Sequence, residues 1–115
     1  MTRDKLVILQ TDFSDPAYPG QRFYCWHCMV MEGLLASFPE LRSRIDVERI
    51  AWPKPRAELV GLIGVENQSL PVLILADDAA SGIETGSFEG RRFVAGKDAI
   101  LRVLADRHGL PDPHP

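Results

Sequence analysis

The chain has 115 residues, 45% of them hydrophobic and 25% charged, with 9 Gly, 9 Pro and a formal net charge of -3 at pH 7. That is the length of one domain able to bury a core without metals or disulfide staples, and the composition excludes a disordered or fibrous chain. The basic residues are scattered, Arg91-Arg92 being the only adjacent pair, which argues against nucleic acid as a partner.

The opening Met1-Thr2-Arg3-Asp4-Lys5 leads into an apolar run of only Leu6 to Leu9, too short for a signal-peptide core. No stretch approaches the roughly 20 apolar residues of a membrane span. The expectation is one domain over residues 1–115, cytosolic, off the membrane, in a compartment where paired cysteines are seldom structural bridges.

In chain order, Leu6-Val7-Ile8-Leu9 is a continuous apolar run with β-branched residues, the pattern of a strand buried on both faces. Residues 11–20 contain two Pro, one Gly and two Asp and read as a loop. After Cys25 the period changes. Cys28, Met31, Leu34 or Leu35, and Phe38 recur at three- and four-residue spacing, predicting an amphipathic helix that ends near Pro39. Residues 46–52 alternate, closed by Pro53, and read as a second strand. Residues 55–64 read as a second helix, with Pro55 in the first turn, Leu59, Leu62 and Ile63 on one face and Gly64 as C-cap.

A third strand is expected over 70–75, opening at Pro71. Residues 82–90 are turn-rich, and 91–94 read as a fourth strand joined to the third as a hairpin. Residues 98–107 read as the last helix, apolar at Ile100, Leu101, Val103 and Leu104, with Arg107 and His108 favouring its negative end and Gly109 stopping it. The proline-rich tail 111–115 reads as frayed. The order β-α-β-α-β-β-α predicts an α/β fold: a four-stranded mixed sheet flanked by helices, opening with a right-handed parallel unit and gaining an antiparallel pair later.

Ligand chemistry in such sheets gathers at the carboxyl ends of the parallel strands, where Cys25-Trp26-His27-Cys28 falls. Two cysteines three positions apart arise in about 2% of random placements, so the spacing is itself informative. The thiolate is the nucleophile of disulfide exchange, and a helix N-terminus favours it. Cys25 is therefore expected to be the exposed attacking residue, and Cys28, one turn inside the helix, the resolving one. His27 between them adds positive charge when protonated and makes the couple more oxidising. Trp26 and Tyr24 are the expected substrate contacts, while Phe23 and Trp52 are more simply core. His108 reads as a helix cap and His114 as a tail residue; Asp12, Asp15 and Asp46 have no partner legible in the sequence.

A C-x-x-C opening the first helix, together with Ser69-Leu70-Pro71-Val72-Leu73-Ile74-Leu75 opening the third strand with proline, resembles the thioredoxin-like superfamily. The short layout is closer to glutaredoxins and to the N-terminal domain of glutathione transferases. Asn67-Gln68-Ser69-Leu70-Pro71-Val72-Leu73 and Ala99-Ile100-Leu101-Arg102-Val103-Leu104 look like the transferase segments that flank glutathione. The resemblance implies a cis bond before Pro71, a substrate main chain laid against Leu70, glutathione as co-substrate with Asn67 and Ser69 as contacts, and thiol-disulfide exchange on protein or low-molecular-weight disulfides. Asp15-Pro16-Ala17-Tyr18-Pro19-Gly20 followed by Phe23-Tyr24-Cys25 looks like a bacterial family of uncharacterised thioredoxin-like proteins. Three positions depart from the superfamily pattern: the longer loop before Cys25, Trp26 where redox members often carry Pro or Gly, and Gly96-Lys97 where transferases carry an acid-serine pair.

Two rival readings stay open at this point. Cys25, His27 and Cys28 with His108 or His114 have the residue types of a zinc site, although a second clustered pair is missing. A redox-inert interaction module on the same fold is the other.

Overall fold

A computed structural model describes all residues 1–115. The run Lys5–Leu9 forms β1, followed by α1 (Trp26–Ser37), a single turn α2 (Pro39–Arg42), β2 (Asp46–Ile50), α3 (Ala57–Ile63), β3 (Val72–Ile74), β4 (Gly86–Phe88), β5 (Arg91–Ala95) and α4 (Lys97–His108). The strands make one mixed sheet in the order β2-β1-β3-β5-β4. Strand β1 runs parallel to β2, from Lys5 opposite Asp46 to Leu9 opposite Ile50. Strand β3 is antiparallel to β1, with Val7 opposite Val72, and also to β5, with Leu73 opposite Val94.

Helices cover both faces of this sheet, which is why its central strands are apolar without alternation. Leu6, Ile8, Leu73 and Val94 point to one side, where Cys28, Met31 and Leu35 of α1 and Ile100, Val103 and Leu104 of α4 complete a cluster of 15 buried residues. Val7, Val72, Ile74 and Phe93 point to the other and pack with Leu59 and Ile63 of α3 in a cluster of 7. No helix is long and apolar enough to cross a membrane.

The sheet has five strands, not the four expected. The additional one, β4, lies inside the segment read as turns and forms the hairpin with β5, whereas β3 and β5 are neighbours across a longer connection. Gly86-Ser87-Phe88 carries little strand propensity of its own. Its pairing is set by the turn Glu89-Gly90, both residues having positive φ (48° and 82°), and by a close approach that glycine alone permits. A Cβ at Gly86 would stand 2.5 Å from Phe93 Cζ.

Other boundaries move for local reasons. Strand β2 ends at Ile50 because Trp52 turns away to stack on Phe13, ring centroids 5.7 Å apart. Helix α3 starts at Ala57 instead of 55: Arg56 is still extended (φ -93°, ψ 90°), and its N–H donates to Gln68 Oε1 at 2.7 Å. Helix α1 stops at Ser37, and Pro39 opens the separate turn α2.

At the amino end of β1 the Asp4 side chain is fully buried. Its Oδ1 accepts the Ala76 N–H at 2.7 Å, and its Oδ2 lies 2.7 Å from Arg107 Nε and 2.6 Å from His108 Nε2. His108 is thus not only a helix cap. It ties the carboxyl end of α4 to the first strand.

Candidate functional site

Cys25 is the N-cap of α1. Its backbone is extended (φ -80°, ψ 112°), and its sulfur accepts the Cys28 N–H at 3.2 Å, the place a Ser or Asp oxygen usually takes. The first turn holds no acidic residue, so the sulfur is the group offered to the positive end of the helix dipole.

Cys28 is 1% exposed. Burial pushes its thiol up to about 12, helped by the hydrogen bond to the Cys25 sulfur and opposed by the Leu9 N–H. It is therefore a protonated thiol at neutral pH. Cys25 is half-buried, and the two sulfurs are adjacent but not bonded to each other. Cys25 is partly exposed and Cys28 is not.

Tyr24 and Trp26 are 63% and 64% exposed and flank Cys25. The Trp26 ring meets the His27 ring edge-on, centroids 3.9 Å apart, and the Lys97 ammonium lies 5.8 Å from the Trp26 centroid. Lys97, the first residue of α4, is paired with Asp98 at 2.7 Å. The amino ends of α1 and α4 thus meet at one corner.

The loop before Cys25 is held by its own contacts. Phe13 and Phe23 exchange backbone hydrogen bonds of 2.9 and 2.7 Å, Tyr18 meets the Phe23 ring edge-on, and Arg22 pairs with Asp12. Asp15 accepts the Ala17 N–H at 2.9 Å, and Asp46 lies 3.7 Å from Arg3, so all three aspartates have local partners. Phe13 and Trp52 pack against the larger cluster, as Cys25 does, and a cleft of about 300 Å³ opens between Asp12, Arg22, Phe23, Tyr24 and Met29. Trp52 is half-buried against the larger cluster, whereas Phe23, also half-buried, packs on Phe13 and Tyr18 within the loop and joins neither core cluster.

The Leu70-Pro71 bond is cis, and Pro71 is buried. Continuing the β1–β3 register by two residues puts Leu70 opposite Leu9, whose N–H reaches the Cys28 sulfur. The start of β3 and the cysteine pair therefore share one end of the sheet. The Leu70 N–H and C=O have no protein hydrogen-bond partner.

Asn67 and Ser69 lie elsewhere. The Asn67 amide donates to Ile63 C=O at 2.7 Å, closing α3, and both residues line a small cleft with Val72 and Phe93 on the sheet face opposite α1. They are not brought to the sulfurs. Nor does a zinc ligand set gather. His108 is about 16 Å along α4 from Lys97 and engaged with Asp4, His114 is an exposed tail residue, and no three His, Cys, Asp or Glu side chains converge.

One buried charged residue escaped the sequence reading. Arg56 is 7% exposed, its guanidinium donating from Nε and Nη2 to Trp52 C=O (3.0 and 2.7 Å) and from Nη1 to Gln68 C=O. A signal existed. Arg56, Leu59 and Ile63 are spaced three and four apart, so the arginine extends the buried stripe of α3.

No curated protein and no solved structure matches the chain. A family model described as a protein of unknown function (DUF3088) matches residues 3–112. That span runs from the Asp4 anchor through the cysteine pair to the end of α4, and the chain belongs to the DUF3088 family.

Proposed function

We propose that the protein is a thiol-disulfide exchange protein of the thioredoxin-like superfamily, with Cys25 as nucleophile and Cys28 as resolving thiol. The observation that carries the reading is the asymmetry of the pair: a partly exposed Cys25 whose sulfur caps α1, beside a buried thiol held in its protonated form. The superfamily assignment draws support from the sheet order β2-β1-β3-β5, the parallel β1–β2 pair, the antiparallel β3 and β5, and the cis-proline at the start of β3.

The Cys25 thiolate attacks one sulfur of a substrate disulfide, forming a mixed disulfide and expelling the other half as a thiolate. Cys28 then loses its proton to the released thiolate or to water and attacks the Cys25 sulfur. A Cys25–Cys28 disulfide forms and the second half of the substrate leaves. The substrate is thereby reduced by two electrons and the protein oxidised by two. Two molecules of a low-molecular-weight thiol such as glutathione restore the dithiol.

The cost of Cys28 deprotonation is lowered at that step, since the Cys25 sulfur is then part of a disulfide and no longer carries charge. The unpaired Leu70 backbone is suited to a substrate main chain added alongside β3, with Trp26 and Tyr24 against its side chains. Protein or low-molecular-weight disulfides in a reducing cytosol are the proposed partners. The same two exposed aromatics suit a binding module without turnover, the second reading.

Equilibration in glutathione buffers of graded ratio separates the two. Exchange predicts a reversible loss of two hydrogen masses over a narrow range of buffer potential, regained on adding dithiol. A protein whose mass stays that of the dithiol across the whole series is a binding module.

A further inference from the structure

Four large hydrophobic side chains are more than half exposed, and three of them, Tyr18, Tyr24 and Trp26, fall in the segment that leads through Cys25. A single exposed apolar residue needs no explanation, but aromatics gathered around one cysteine mark a contact surface. The loop that carries them holds its shape in the free protein. Its base is the Phe13–Phe23 backbone pair, the Phe13 ring stacks on Trp52, and Tyr18 meets the Phe23 ring edge-on, centroids 5.6 Å apart. Arg22 grips Asp12 with both Nε and Nη2, and Asp12 stands in the left-handed region at φ 67°. A surface fixed before binding loses little freedom when a partner arrives.

Between this loop and the first turn of α1 lies the cleft of about 300 Å³. That volume is at the low end for ligand pockets, room for one large side chain. The cleft borders the nucleophile through covalent and hydrogen-bonded neighbours: Tyr24 precedes Cys25, and the Met29 N–H donates to the Cys25 C=O at 2.9 Å. Its lining residues bring two aromatic rings (Phe23 and Tyr24), the Met29 thioether and the Arg22 guanidinium. Each attracts a ring in its own way. A cation favours the ring face, sulfur the ring edge, and another ring an offset or edge-on approach. An aliphatic group gains only its burial, and an acidic one meets the Asp12 charge beside Arg22.

We propose that this cleft is a subsite for an aromatic side chain of a polypeptide substrate, placed within two residues of the disulfide cysteine, so that the substrates are protein disulfides. Two further observations favour a polypeptide over glutathione. Asn67 and Ser69, the expected glutathione contacts, lie on the other face of the sheet, and glutathione carries no ring. The unpaired Leu70 backbone stands opposite Leu9, at the end of β1 from which Thr11 and Asp12 lead into the cleft, so one extended chain has both within its course. The proposal deepens the exchange reading and rests on it for the covalent step.

The test uses blocked pentapeptides whose central cysteine is joined by a disulfide to nitrothiobenzoate. The reference has glycine elsewhere, and four others carry Phe at one of the remaining positions. The Cys25 thiolate of the reduced protein bonds to the peptide sulfur, the original disulfide breaks, and nitrothiobenzoate leaves as a coloured thiolate that reads the rate. At the best position the Phe peptide is expected to react about tenfold faster than the glycine peptide, with Leu there gaining less than half as much. In Arg22→Gln and Met29→Ala the ratio of Phe to glycine rates falls to about threefold or less. Arg22 is exposed, so its replacement costs little stability, and a ratio within each protein cancels any change in Cys25 itself.

A ratio below about twofold at every position, Leu equal to Phe, or variants that keep the wild-type ratio each overturn the proposal. Occupancy is also read without chemistry, from the nuclear magnetic resonances of the Met29 methyl and the Arg22 Nε–H, as the same peptides with Ser for Cys are added. Shifts with the Phe peptide and none with the glycine peptide, in a protein that releases no nitrothiobenzoate, overturn the exchange reading alone. Release at one rate from all the peptides, without those shifts, overturns this proposal alone.

Discussion

Asp4→Ala lowers the unfolding free energy at pH 7 by about 3–5 kcal/mol, the range found when one partner of a buried ion pair is removed. The carboxylate is fully buried, and its loss leaves the Ala76 N–H and His108 without that acceptor and Arg107 with Asp78 alone. Against a total stability of about 5–15 kcal/mol for an ordinary domain, the fall is a large fraction, and the melting temperature drops by more than about 10 °C. The effect has a pH signature. Burial raises the Asp4 pKa, but the hydrogen bonds from His108, Arg107 and the Ala76 amide outweigh it and hold the carboxyl well below the usual carboxylate range.

A carboxyl whose folded value lies below its unfolded value of about 3.9 stabilises fully above that pH, and the contribution is lost as the pH falls through the folded value. Urea unfolding of wild type and variant therefore shows its full gap at pH 7 and a smaller one at pH 3. A gap under about 1 kcal/mol at pH 7 is the value of an exposed pair and would remove the anchor from the account.

Cys25→Ser and Cys28→Ser part company when each is mixed with a small aromatic disulfide. Cys25→Ser forms no adduct in the native state, because the remaining thiol is buried and protonated. Cys28→Ser forms a mixed disulfide that persists, because no second thiol resolves it. Turnover with a thiol donor falls by at least about 100-fold in Cys25→Ser, which has lost the attacking nucleophile, and by less in Cys28→Ser, whose mixed disulfide the donor thiol itself releases. Mass spectrometry of the intact chains checks the adducts. Stable capture by Cys25→Ser instead reverses the assigned roles.

The sheet was legible where burial leaves a strong pattern. The unalternating Leu6-Val7-Ile8-Leu9 announces a strand covered on both faces, and the clusters on its two sides bear this out. The three- and four-residue spacing of Cys28, Met31 and Leu35 marked the buried side of α1. Strand β4 was not legible, because Gly86-Ser87-Phe88 pairs through turn geometry and a glycine contact with Phe93, neither of which leaves a periodicity.

The site divides in the same way. Cys25, Cys28 and the exposed Trp26 could be placed from spacing, since a helix start fixes which residue caps and which turns inward. Arg56 was hidden by its type. An arginine is normally read as surface, and only its fit to the stripe of Leu59 and Ile63 hints otherwise. Asn67 was misplaced by its neighbours in sequence. It stands three residues before Leu70 but serves the end of α3 on the other face of the sheet.

A brief pulse of iodoacetamide at pH 7 on the native, reduced protein, quenched and mapped by peptide mass, reads the two thiols in one experiment. An adduct on Cys25, with Cys28 unlabelled until denaturant is added, is what a partly exposed cap and a buried resolving thiol require. Equal labelling of both residues, or Cys28 ahead of Cys25, contradicts the asymmetry on which the functional assignment stands.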